Sequence, residues 1–162
     1  MLTIDFKYLN LKDNDTLLDL GCGDGRHLIG ALKHKHIACY GVDLSQADLD
    51  KAKKKLDHSF QNKKTVTLVQ ANATDLPFDN DFFDHIICSE VLEHIVDVEG
   101  VLKEAHRVLK PGGSLTVSVP RFFPEWICWV FSKAYHSNEG GHIRIFKSSQ
   151  LDAIIQSKGL AR

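Results

Sequence analysis

Short apolar runs alternate along the chain with longer segments whose apolar residues recur every three or four positions. TLLDL (16–20), HIACYGVDL (36–44), TVTLVQA (65–71), FDHIICS (83–89) and GSLTVSVP (113–120) are brief and rich in Val, Ile, Leu and Thr, the signature of strands. Between them, 26–35, 45–58 and 98–109 carry apolar residues at helical spacing. Ser45 is placed to cap the second helix ahead of Ala47, Leu49, Ala52 and Leu56. Val98, Val101, Leu102, Ala105, Val108 and Leu109 form one stripe on the third, and Lys110-Pro111-Gly112-Gly113 stops it. Repeated strand–helix units predict an α/β domain with a mostly parallel sheet and helices on both faces.

After the fifth predicted strand the pattern changes. RFFPEWICWVFSKAY (121–135) packs six aromatic residues into fifteen, SNEGGHIRIF follows, and a last helix is predicted over 148–158. As a helix, the aromatic segment would line one face with Phe123, Trp126, Ile127, Val130 and Phe131. It reads as a lid (121–142) over a ligand pocket within one domain spanning 1–162, or else as an ordinary core helix.

Bulk properties narrow the class. A chain of 162 residues fits one domain, and 20 Lys plus Arg against 21 Asp plus Glu leave no global field to recruit nucleic acid or anionic membrane. The lysines at 51–55 and 63–64 read as solvated surface. The N-terminus has no basic-then-apolar leader pattern and no apolar run is long enough to span a bilayer, so a cytoplasmic protein without membrane insertion is expected. Cys22, Cys39, Cys88 and Cys128 form no CxxC pair and read as reduced thiols, most of them buried.

The candidate chemistry begins in LLDLGCGDGRHL (17–28), a strand followed by Gly21, Gly23 and Gly25. A dinucleotide loop places its third glycine later, to pack helix on strand beside a pyrophosphate. Here that sixth position is Arg26, and Asp19 precedes the first glycine, where it would repel a diphosphate but attract an α-ammonium group. Asp43, at the end of the second strand, can accept both hydroxyls of a ribose. Together these favour a nucleoside bearing an amino acid, S-adenosylmethionine.

DLGCGDG, GVDLS, NATDLPFDNDFFDHIICSEVLEH and LKPGGSLTVSVP, in that order, resemble the class I S-adenosylmethionine-dependent methyltransferases of the small-molecule type. The resemblance runs from about Thr16 to the last helix. It implies a Rossmann-like, doubly wound, mostly parallel sheet, here without the usual C-terminal antiparallel strand pair. It implies that Asp19, Gly21 and Gly23 hold the methionine end, with Gly25 shaping the turn and Cys22 packing under it. Asp43 would take the ribose and Leu44 would lie beside the adenine. Asn72 replaces the family's usual Asp before Ala73, so its amide oxygen would accept from the adenine amino group. Ser89 would lie under the methionine portion.

Methyl transfer from a sulfonium needs an aligned acceptor and exclusion of water, and a base only when the acceptor is protonated. In SEVLEH (89–94), Glu90, Glu93 and His94 would share a face if helical, and His94 suits proton transfer. With His142 the same residues could ligate a divalent metal, the less favoured reading beside one in which Glu93, His94 and His142 work without metal. Arg144 reads as packing the loop onto the site, and the remaining histidines (His27, His34, His36, His58, His85, His106 and His136) read as surface residues. The expected partner is a small-molecule methyl acceptor, aromatic or lipid-like. Two rival readings remain: a non-catalytic or truncated cofactor-binding module, and an NAD-dependent oxidoreductase. Because only four residues follow the last predicted helix, an open sheet edge and a homodimer formed through it are also expected.

Overall fold

The computed structural model describes residues 2–60, 66–120, 143–144, 146–157 and 159. The aromatic segment, the proposed lid and His142 lie outside them. The elements run β1 (Thr16–Leu20), α1 (Arg26–His34), β2 (Ala38–Asp43), α2 (Gln46–Ser59), β3 (Val66–Gln70), β4 (Phe83–Ser89), α3 (Val98–Val108), β5 (Leu109–Ser118) and α4 (Ser148–Ser157). Single 3-10 turns form at Phe6–Tyr8 and Leu92–His94. Ser45 caps α2 as its sequence suggests, its side chain accepting from the Asp48 N–H.

The five strands form one sheet in the order β3-β2-β1-β4-β5, every neighbouring pair parallel. Parallel strands buried on both faces must be apolar nearly throughout, which is why β1 reads TLLDL with Leu17, Leu18 and Leu20 wholly buried. Side chains alternate between two cores. Leu17 and Ile87 meet α1, α2 and the N-terminal residues Ile4, Phe6, Leu9 and Leu11 on one face. Leu18, Leu20, Ile86 and Cys88 meet α3 and Leu151 of α4 on the other. Each such Leu or Ile contributes roughly 1.5–3 kcal/mol by leaving water. The N-terminal segment is therefore a structural part of the domain, although its sequence carries no strong periodic signal.

The N-terminal end of the sheet is closed by polar pairs. Asp84 accepts from the Thr16 N–H and hydroxyl, each at 2.8 Å, and from Lys110 Nζ at 2.8 Å to both oxygens. Burial alone would raise the Asp84 pKa, but the Lys110 and Thr16 hydrogen bonds outweigh it and hold the group at about 2. Beside it, His85 sits between Asp15 (Nε2 to Oδ2, 3.0 Å) and Ser114 (Nδ1 to Oγ, 2.7 Å). His85 is thus a core residue rather than a surface one.

The end of α3 also differs from expectation. The helix stops at Val108, and Leu109 already pairs with Phe83; the next pairing joins His85 to Ser114. Lys110-Pro111-Gly112-Gly113 is therefore looped out inside β5 instead of separating helix from strand. Lys110 there reaches back to Asp84, an attraction that sequence spacing does not reveal.

Candidate cofactor-binding site

The chain order of the strands reverses between β1 and β4, and a ligand crevice is expected at the C-terminal ends of strands flanking such a point. A cleft of about 420 Å³ lies there. The loop leaving β1 forms its floor. Gly21 and Cys22 both donate backbone N–H groups to the Val42 carbonyl, at 2.8 and 2.9 Å, which ties the loop to the end of β2. Gly21 (φ +72°) leaves no room for a side chain, because a Cβ would run into the Val91 methyls. Gly23 (φ +50°) differs: a Cβ there would meet nothing within 4 Å and would project into open space at the cleft. Gly25 is turned away toward Ala52 of α2, and the buried Cys22 thiol packs beneath the turn against Gly41. Burial pushes that thiol's pKa far up, as it does for Cys88, so neither is a nucleophile.

Asp43 ends β2 with its carboxylate already aligned. Oδ2 accepts from the Gly23 N–H at 2.8 Å and Oδ1 from the Ser45 N–H at 2.9 Å. Each oxygen retains a lone pair for a ligand hydroxyl. Leu44 beside it is 70% exposed, an apolar side chain standing on the cleft wall with its backbone carbonyl held by Gln70 Nε2. Asn72 and Ala73 line the same cleft. The Asn72 amide oxygen accepts from the Thr74 N–H at 3.1 Å, so part of the acceptor capacity expected for an adenine amino group is used in its own turn.

The fourth-strand candidates are divided by their backbone. Glu90 adopts φ +59°, a left-handed conformation unusual for a side-chain-bearing residue, and only a 3-10 turn follows. The helical face expected for Glu90, Glu93 and His94 is therefore not formed. Glu90 and His94 line the cleft, whereas Glu93 is 1% exposed and lies in the interior. Val91 and Ile95 also line it, residues that sequence reasoning did not single out because two aliphatic side chains carry no chemical signal. Arg144 donates to the Val96 carbonyl at 2.8 Å, fastening the segment before α4 to this turn. Among the described residues no group of three or more His, Cys, Asp or Glu is arranged to hold a metal ion.

Asp19 and Ser89 lie behind the cleft rather than on its surface. Asp19 is 1% exposed, and neither of its carboxylate oxygens has a hydrogen-bond partner. The nearest basic group is His27, whose Nδ1 is 3.7 Å away; His27 is 3% exposed, which corrects its reading as a surface residue. Burial raises the Asp19 pKa above the ordinary carboxylate range, with His27 pulling the other way. A buried carboxylate without a hydrogen-bond partner beside a cleft is a candidate functional group.

An open parallel sheet with a nucleoside-sized cleft at its switch point, floored by glycines and fitted with an anchored carboxylate, defines a nucleotide-cofactor-binding α/β protein. A family model described as "Methyltransferase domain" matches residues 18–117. The chain belongs to that family, the class I S-adenosylmethionine-dependent methyltransferases. It is 31% identical over 150 residues to the ubiquinone biosynthesis O-methyltransferase of Coxiella burnetii, covering 89% of this chain and 62% of that protein. It is 37% identical over 115 residues to the demethylmenaquinone methyltransferase of Lactobacillus johnsonii, covering 69% of this chain and 46% of that one. Among solved structures, the YcgJ protein of Bacillus subtilis superposes with a TM-score of 0.79 at 26% identity, over 96% of this chain and 66% of that chain. The chain thus spans about half to two thirds of the proteins it resembles.

Proposed function

We propose that this chain binds S-adenosylmethionine in the switch-point cleft and transfers its methyl group to a small-molecule acceptor. The observation that carries this reading is Asp43, held by the Gly23 and Ser45 N–H groups beside an open glycine bend, a fit for a ribose diol. When bound, the cofactor supplies a methyl carbon already activated by its sulfonium charge. The residues of the chain do the rest. Asp43 fixes the sugar, Leu44 and Ala73 cover the base, Gly21 and Gly23 let the ligand lie against the backbone, and Asp19 complements the ammonium end. The apolar walls provided by Val91 and Ile95 keep water from the reacting region. His94, on the same wall, accepts the proton of a phenol or alcohol acceptor.

Relatives named for quinone methylation support a flat, hydrophobic acceptor. The aromatic-rich residues 121–142 are assigned on sequence grounds as the cover of that acceptor's pocket, within a single domain. A cytoplasmic location is part of this reading; among the described residues no helix is long and apolar enough to cross a membrane. So is self-association along β5, which with β3 is an outer strand of the sheet among the described residues; light scattering would detect it. The test of the central reading is calorimetric titration with S-adenosylhomocysteine and with NADH. It is followed by a screen for S-adenosylhomocysteine release over phenols, amines and lipid precursors, with and without Mg²⁺. Binding of NADH in preference to the homocysteine nucleoside would refute it.

A further inference from the structure

A chain of polar side chains runs behind the cleft and joins the N-terminal segment to Asp19. The Ser118 and Ser89 hydroxyls lie 2.7 Å apart at the ends of β5 and β4. Ser89 Oγ lies 2.5 Å from Thr3 Oγ1, and Thr3 Oγ1 lies 3.1 Å from His27 Nε2. The other nitrogen of that ring, Nδ1, is the one 3.7 Å from Asp19 Oδ1. Thr3, itself exposed, is thus the hub: its hydroxyl meets both buried partners from a segment anchored by Ile4 and by Phe6, whose ring lies against Gly30 of α1.

We propose that Thr3 and His27 are positioning residues for the cofactor's amino-acid tail, acting through Asp19. The inference rests on the cofactor reading given above. Its logic is the direction in which the hydrogen bonds must point. Hydroxyl groups can donate or accept, and a neutral imidazole does one at each nitrogen. For Asp19 to meet an ammonium group as a carboxylate, His27 must carry its proton on Nδ1, facing Asp19. Nε2 then accepts from the Thr3 hydroxyl, Thr3 accepts from Ser89, and Ser89 accepts from Ser118. Every donor in the series then points toward the buried Asp19 carboxylate, and bonds aligned in this way reinforce one another. Removing the Thr3 hydroxyl would leave Nε2 without its donor, favour the opposite tautomer, and turn a lone pair toward Asp19.

A split between two ligands tests this. S-adenosylhomocysteine has the amino-acid tail, and 5′-methylthioadenosine shares its adenine and ribose but lacks the tail. Titration calorimetry on the full chain is expected to show Thr3→Val and His27→Leu weakening S-adenosylhomocysteine about tenfold, with methylthioadenosine changed by less than about twofold. Thr3→Ser, which keeps the hydroxyl, restores the parent affinity. Equal weakening of both ligands, or an unaltered ratio between them, overturns the proposal, since a purely structural role would not distinguish the tail. Asp19→Asn separates the two levels of inference. If it lowers the ratio while the Thr3 and His27 variants do not, the cofactor reading stands and the positioning role falls. If it leaves the ratio untouched while the parent binds S-adenosylhomocysteine, the positioning role falls and the cofactor reading stands; if the parent binds neither nucleoside, the cofactor reading itself falls.

Discussion

The two ends of the sheet treat their carboxylates in opposite ways. At the N-terminal end Asp84 is surrounded by the Thr16 N–H and hydroxyl and by the Lys110 ammonium, and Asp15 is paired with His85. At the C-terminal end Asp19 is buried with neither oxygen hydrogen-bonded, Glu90 is held in a left-handed conformation, and Gly21 and Gly23 bend an open loop. One end satisfies its carboxylates within the chain; the other leaves the Asp19 oxygens without a hydrogen-bond partner. Unmet polar demand at the C-terminal edge marks a candidate for a site where function was favoured over stability; left-handed backbone does not separate the two ends, since Asn14 (φ +73°) and Asp81 (φ +54°) precede β1 and β4 at the other one.

Substitutions at the two ends should therefore separate activity from stability. The largest effect is expected at His94: His94→Gln should lower turnover with a phenolic acceptor about 10²–10⁴-fold while leaving S-adenosylhomocysteine affinity close to that of the parent. An equal loss of cofactor binding would instead make His94 part of the nucleoside site. Asp43→Ala removes the sugar anchor and the acceptor for two backbone N–H groups, and should weaken cofactor binding about 100-fold by calorimetry.

At the opposite end, Asp84→Asn should leave ligand affinity alone and cost about 2 kcal/mol in denaturant unfolding at neutral pH. Asp84 has a folded pKa below its unfolded value, so its contribution is present above 3.8 and is lost as pH falls toward about 2. The variant should accordingly show a flatter acid limb across that window. The smallest effect has the reverse sign. Asp19→Asn should raise neutral-pH stability by about 1 kcal/mol while weakening cofactor binding, because it removes a buried charge that has no hydrogen-bond donor. The Asp19 pKa is raised, so ionisation penalises the folded state as pH climbs through and above the unfolded value. The stability gap between variant and parent should widen as pH rises above the unfolded value and level off once Asp19 ionises in the folded protein; a gap that keeps widening would show Asp19 staying protonated when folded, and a gap independent of pH would show that its pKa is not raised.

Most of the fold was legible because burial on both faces leaves an unambiguous trace. The runs at 16–20 and 83–89 match β1 and β4 residue for residue, and the helical stripe from Val98 ends one residue from the observed helix. Part of the cleft lining was legible too, since Gly21, Gly23, Asp43, Leu44, Asn72 and Ala73, chosen from the sequence, come together in space. What escaped depends on partners distant in sequence. His27 and His85 are buried because Thr3, Asp15 and Ser114 meet them, and no local pattern encodes those meetings. The EVLEH stretch has helical composition, but the Glu90 N–H continues the pairing with β5 through the Ser118 carbonyl and the chain then turns left-handed at Glu90, so tertiary context prevails over local propensity.

The looped-out residues of β5 also give the molecule a handle. Gly112 stands at φ +79° with nothing within 4 Å of where a side chain would begin, at the end of the sheet remote from the cleft. A peptide tag or fluorophore spliced in there would lengthen an existing excursion without shifting the His85–Ser114 pairing that sets the rest of the strand. Immobilised by that corner, the protein would present its ligand-binding edge outward to solvent.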